Sequence, residues 1–188
     1  NNVAVFTNSA VTNNTSAAPA PTSGGGGGGG GVLALVSASP ADGSTVTVDR
    51  AGDRALVTIK HLLNHTSGLP DMLPENVELR RRHAPLSEFV AGTCRTPLLF
   101  RPGTRVSYQS MGILLAAAIV EKISGQPLPE FLATHFFTPH KMTGTSLGLG
   151  GRLIADTAQC QVPEPSDWDW NSPYWRKLGA PWGGAHST

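Results

Sequence analysis

Eight consecutive glycines, Gly24 to Gly31, divide this chain into two stretches of different kind. A glycine run has no side chains to bury and the most backbone entropy to lose on ordering. It predicts a flexible linker that no compact core spans. Before it the sequence is rich in Asn, Ser, Thr, Ala and Pro, and no charged residue occurs until Asp42. Residues 1–31 therefore read as a low-complexity, disordered segment ending in a glycine linker, with enough β-branched character in 3–12 for a strand or two.

Within that segment, Asn8-Ser9-Ala10-Val11-Thr12-Asn13-Asn14 resembles one rung of a secreted right-handed β-helix. One rung is not a repeat array, and several are needed to bury a core, so disorder is the expectation. Residues 32–53 form a lead-in, with short strands expected at 32–37 and 45–48 around the turn signal Pro40-Ala41-Asp42-Gly43.

From Asp53 onward the pattern turns helical, and a length of 188 residues allows one ordinary domain there, residues 54–188. Thr58 is a suitable N-cap for a helix over 59–64, whose apolar positions Ile59, Leu62 and Leu63 share a face. Thr66-Ser67-Gly68 and Pro70 end it. A second helix is expected over 85–93. A third, 109–123, is apolar nearly all round, the profile of a buried helix, and stops at Gly125 and Pro127. A shorter one follows over 129–136. The longest apolar run, Met111 to Val120, falls far short of the roughly 20 residues a membrane span needs. A net charge of +1 gives no reason to expect nucleic acid as a partner.

The chemistry-bearing residues come in a fixed order. Val57-Thr58-Ile59-Lys60-His61-Leu62-Leu63-Asn64-His65-Thr66-Ser67-Gly68-Leu69-Pro70 is followed by Phe100-Arg101-Pro102-Gly103-Thr104, then Tyr108-Gln109-Ser110-Met111-Gly112, then Ser124-Gly125-Gln126-Pro127-Leu128. That order and spacing resemble the serine β-lactamase-related family, which includes class C β-lactamases, DD-peptidases (penicillin-binding proteins) and related esterases. The resemblance implies an α+β fold, here chiefly its helical lobe with few strands. It implies acyl transfer to water from a β-lactam, an ester or a D-amino-acid peptide, a small-molecule acyl substrate in the intact parent, no cofactor, and a periplasmic or secreted location.

The same resemblance assigns Tyr108 and Ser110 to the family's Tyr-x-Asn or Tyr-x-Ser motif, where the tyrosine takes part in proton transfer. A phenol is a poor base at neutral pH unless a nearby cation favours its anion. The family supplies that cation from a Ser-x-x-Lys motif, whose i, i+3 spacing puts hydroxyl and ammonium on one helix face. This chain has four lysines, at 60, 122, 141 and 177, and three residues before them stand Val57, Ile119, Thr138 and Tyr174. No Ser-x-x-Lys exists in the sequence. The third family motif, Lys-Thr-Gly or His-x-Gly, is also missing. Gly183-Gly184-Ala185-His186-Ser187-Thr188 instead resembles a Gly-Gly-x-x-Ser-Thr segment that lies earlier in these proteins. The reading is an incomplete serine hydrolase, inactive as this chain, whose helical face, built to meet a sheet, is left open to self-association. The alternatives are a non-catalytic relative that binds a ligand or partner beside Tyr108, or a secreted β-helix-like protein fused to a hydrolase section.

Other patterns carry less. Gly144-Thr145-Ser146-Leu147-Gly148 fits the Gly-x-Ser-x-Gly of α/β-hydrolases, and Asp167 or Asp169 with His186 even supplies the order Ser, Asp, His. That motif needs a strand before the serine and a helix after it, and a glycine-rich turn is expected instead. His61 and His65 stand at i, i+4 without the Glu or third ligand of a zinc motif, so capping and packing roles are expected and no metal site is assigned. Arg80-Arg81-Arg82-His83 reads as a solvated helix face. Cys94 and Cys160 either pair, in an exported protein, or remain as two buried thiols, the expected state. All four tryptophans fall between 168 and 182, either rimming a substrate pocket or, as favoured here, pinning a loop onto the helices.

Overall fold

The structure is a computed structural model and describes residues 51–187. The strands expected at 3–12, 32–37 and 45–48, and the glycine run, lie outside the described residues.

The described residues form an α+β arrangement that is mostly helical. α1 (Ala51–Arg54), α2 (Ile59–Leu63), α3 (Asn76–Arg81), α4 (Leu86–Arg95), α5 (Ser110–Ser124), α6 (Leu128–Leu132) and α7 (Pro173–Leu178) are joined by long ordered loops. A π-helical turn, Ala133–Phe137, continues α6. The strands β1 (Ser146–Leu147) and β2 (Ala185–His186) pair antiparallel, with Ser146 opposite His186 and Leu147 opposite Ala185.

Local sequence explains where the helices begin and end. The Thr58 side chain accepts the His61 N–H at 3.2 Å while His61 Nδ1 accepts the Thr58 N–H at 3.3 Å, a reciprocal capping box with histidine in the place of the usual Glu or Gln. α5 ends where Gly125 takes φ +69°, the left-handed cap that glycine adopts without strain. α4 is closed from a distance. Arg54, 1% exposed, donates to the carbonyls of Cys94 (2.7 Å), Arg95 (3.2 Å) and Thr96, satisfying the last acceptors of that helix with a cation.

α5 is the centre of the core, packed on α2 and α4. Leu62, Leu69, Phe89, Met111, Leu114 and Leu115 are buried together, each side chain contributing about 1.5–3 kcal/mol by leaving water. The expectation that α5 is buried all round holds for its first turns. It fails at the end, where Ile123 is 64% exposed. No single helix among the described residues is long and apolar enough to cross a membrane.

Two further expectations are corrected. Cys94 is buried but Cys160 is exposed, and both are free thiols. Burial pushes the Cys94 thiol up to about 11, with Arg54 and Arg95 opposing the shift. The arginine run is solvated at Arg81 and Arg82 only. Arg80 turns inward, its guanidinium carbon 4.3 Å from the ring centre of Trp175 and 5.2 Å from that of Trp168. Helical geometry requires such a split, because residues 80, 81 and 82 face three directions about 100° apart.

Candidate functional site

The segment carrying Tyr108 is held by the loop that follows α2. Leu99 N–H donates to Gly68 O at 2.7 Å, Gly103 N–H to Thr66 O at 2.8 Å, and Ser107 N–H to His65 O at 2.9 Å. This pairing requires glycine at 68. Its φ is +84°, and a Cβ there would stand 2.2 Å from the Phe100 carbonyl oxygen. The two sequence blocks read as separate motifs are therefore one physical unit.

At the end of that unit the chain enters α5 through Tyr108, Gln109 and Ser110. Tyr108 is 62% exposed, with its ring centre 4.8 Å from that of His65, itself in a left-handed backbone conformation at φ 59°. Ser110 is buried. Its hydroxyl donates to Asp71 Oδ1 at 2.6 Å, and its backbone N–H donates to the same oxygen at 3.0 Å. A carboxylate thus sits at the N-terminus of α5, the longest of the described helices, where the helix dipole favours negative charge. Gln109 is fully buried, accepting from Ser67 Oγ at 2.7 Å and donating to His61 O at 3.2 Å.

The two sequence-assigned site residues, then, differ in what they present. Tyr108 offers an exposed phenol, while the Ser110 hydroxyl is committed to Asp71. Asp71 and Gln109 were not singled out by sequence reasoning. Asp71 directly follows the Gly68-Leu69-Pro70 turn, but nothing local announces a partner 39 residues away. His61 has its Nδ1 engaged by the capping box. No group of three or more His, Cys, Asp or Glu side chains able to hold a metal is found among the described residues.

The Gly144–Gly148 segment contains β1 rather than only a turn. Ser146 Oγ donates to Gly148 O at 2.8 Å and accepts from Arg152 Nη1 at 2.6 Å. The chain after it runs into glycines and turns, not a helix, so the nucleophile-elbow geometry is absent.

The tryptophan segment is pinned to α3 and α4, as favoured from sequence. Arg80 lies over Trp175 and Trp168 and donates to Trp168 O at 3.2 Å. Burial lowers its pKa, while Tyr174 and Asp169 act in the opposite sense. Tyr174 donates its hydroxyl to Ala84 O at 2.9 Å, and burial raises its pKa. Trp182 packs against Phe89 and Trp175, with ring centres 5.9 and 6.1 Å away. Asp169 accepts the N–H groups of Ser166 (2.8 Å) and Asn171 (2.7 Å), and these, Ser166 first, hold its carboxyl below the ordinary range. Trp170, Trp175 and Trp182 also line a cavity.

Comparison with known proteins agrees with this architecture. The family model described as Beta-lactamase matches residues 15–188. The chain is 38% identical over 93 residues to penicillin-binding protein 4* of Bacillus subtilis (strain 168), covering 47% of this chain and 21% of that protein. Among solved structures, it is similar to the penicillin-binding protein from Bacillus halodurans, at 30% identity and TM-score 0.56, covering 70% of this chain and 42% of that one. The D-amino acid amidase from Ochrobactrum anthropi SV3, complexed with L-phenylalanine amide, matches at 25% identity and TM-score 0.57, with 72% of this chain and 42% of that one covered. The chain spans less than half the length of each of these relatives.

Proposed function

The chain belongs to the beta-lactamase family, and from that premise we propose that it is the helical section of an acyl-transferring serine hydrolase, without hydrolytic activity as this chain. Residues 54–188 make up the hydrolase section, 1–31 a low-complexity segment, and 32–53 the lead-in between them. The observation that carries the reading is the entry to α5. Tyr108 presents its phenol beside His65, on a loop clamped to the Gly68 turn, yet no serine in the sequence has a lysine three residues on.

In that role Tyr108 is the proton-transfer group of the intact parent and Ser110 the residue that fixes it in register. Asp71 locks Ser110, which sets the first turn of α5 and with it the direction in which Tyr108 leaves the loop. The substrate is a small acyl compound: a β-lactam, a short-chain ester or a D-amino-acid amide or peptide. The printed descriptions of the relatives, a penicillin-binding protein and a D-amino acid amidase, support that class. Neither nucleic acid nor a membrane is a partner in this reading. Exposed apolar side chains at Leu63, Leu99, Val106 and Tyr108 support self-association of the isolated chain.

Turnover of nitrocefin and of p-nitrophenyl butyrate tests the reading. Both are expected to hydrolyse at the buffer rate in the presence of the chain. Hydrolysis that saturates with substrate and is lost in Tyr108→Phe overturns the inactive assignment.

A further inference from the structure

A cavity of about 470 Å³ opens between α4, the middle of α5, the start of α6 and the end of α7. That volume suits one small molecule, for which sites run from roughly 300 to 1,000 Å³. Its walls meet α5 only from Leu114 to Glu121, so Tyr108, Ser110 and Asp71 take no part in it. It shares no residue with the cavity lined by the tryptophans.

The lining is apolar and carries one charge. Leu86 and Val90 of α4, Leu114 of α5, Leu128 of α6, Leu178 of α7 and Pro181 supply hydrocarbon. Ser87 adds a hydroxyl, and Glu121 is the sole ionisable side chain in the wall. Glu121 is half-buried, and its Oε1 accepts the Leu128 N–H at 2.8 Å, which ties the end of α5 to the start of α6. Among the described residues no cationic side chain pairs with this carboxylate, and nothing donates to its Oε2. A carboxylate set against hydrocarbon is less well hydrated than one on an open surface, so it attracts a cation more strongly.

We propose that this cavity binds a small apolar amine in its ammonium form, its hydrocarbon among the leucines and its nitrogen on Glu121 Oε2. An alkylammonium brings donors and a positive charge but no acceptor, the complement of a carboxylate oxygen without a partner. With a basicity like that of a lysine side chain, it is protonated at neutral pH. A neutral apolar chain would desolvate the carboxylate without answering its charge, and an anion would be repelled by it. The Leu128 N–H keeps Oε1, so the ligand displaces no bond that holds the fold. The site needs no nucleophile and stands independently of the hydrolase reading.

The test is isothermal titration calorimetry of the unaltered chain at neutral pH and fixed ionic strength, with hexylamine, butylamine and hexan-1-ol. Hexylamine is expected to give a saturable heat, with hexan-1-ol at least about tenfold weaker. Two fewer methylenes in the cavity should weaken butylamine about tenfold relative to hexylamine. Glu121→Gln keeps an acceptor for the Leu128 N–H and removes the charge, and should weaken hexylamine about tenfold while leaving hexan-1-ol unchanged. Ala118→Leu fills the cavity from α5 and should weaken both ligands. No saturable heat with hexylamine, equal affinity for butylamine or hexan-1-ol, or full hexylamine affinity in both variants overturns the proposal. The comparison among ligands needs no substitution, so it decides even where a variant fails to fold. None of these results depends on whether the chain reacts with a serine-directed probe.

Discussion

One oxygen of Asp71 accepts both the backbone N–H and the hydroxyl of Ser110, at 3.0 and 2.6 Å. The two residues are 39 apart in sequence, and their contact fixes the loop after Pro70 to the first turn of α5. Asp71→Ala is expected to cost about 1–2 kcal/mol, the range for loss of an N-terminal helix cap, with Asp71→Asn recovering part of it. Urea unfolding of the two variants measures this. An unchanged midpoint in Asp71→Ala would mean that water replaces the carboxylate without loss.

Gly68 is the tightest backbone position in the site. Its positive φ and the 2.2 Å approach of a hypothetical Cβ to Phe100 O act together, so Gly68→Ala is expected to destabilise by more than about 2 kcal/mol. Thermal unfolding followed by circular dichroism checks it. Gly125→Ala is the comparison, since a Cβ there meets no atom within 4 Å and only the φ of +69° opposes it, costing about 1 kcal/mol.

The two cysteines are expected to separate cleanly in reactivity. Cys160 is exposed, whereas Cys94 is buried with its thiol pushed up to about 11. A colorimetric disulfide reagent at pH 8 should titrate one thiol per folded chain promptly and the second only on unfolding. Cys94 also links stability to pH. Its folded pKa lies above the ordinary 9.0, so the folded chain binds more protons than the unfolded chain between about pH 9 and 11. Stability should therefore fall as pH rises through that window, by on the order of 2 kcal/mol. Cys94→Ala should flatten that part of the profile.

Arg80 anchors the tryptophan segment from one side. Arg80→Ala removes contact with two indole rings and a hydrogen bond to Trp168 O, with an expected cost of about 1–3 kcal/mol. Arg81→Ala, whose pairing with Glu78 is fully on the surface, should stay within about 0.5 kcal/mol. The contrast between neighbouring arginines is the informative readout.

These sites also mark what the sequence made legible. Thr58 as a cap, Gly125 as a stop and the burial of Leu62 and of the first turns of α5 are local features, encoded within one or two turns, and the sequence shows them; Leu63, expected on the same face as Leu62, is instead 58% exposed. The family resemblance placed Tyr108 at the entry to α5. What escaped were contacts between residues far apart in the chain. Arg54 closing α4, Asp71 holding Ser110 and Arg80 meeting Trp168 and Trp175 join positions 39 or more apart, and no periodicity signals them. Arg80 was misassigned because the charge of its neighbours Arg81 and Arg82 describes a solvated surface equally well. Cys160 was misassigned because a small thiol carries no pattern that separates a core position from a loop.

In the proposed function, no serine of this chain is activated, because none has a lysine three residues on. Intact mass after incubation with a fluorophosphonate and, separately, with benzylpenicillin tests that most directly. The prediction is an unshifted mass with both reagents at times when a serine hydrolase is fully labelled. Stoichiometric addition that is lost on unfolding the chain beforehand would contradict it, and mapping the adduct would identify the nucleophile.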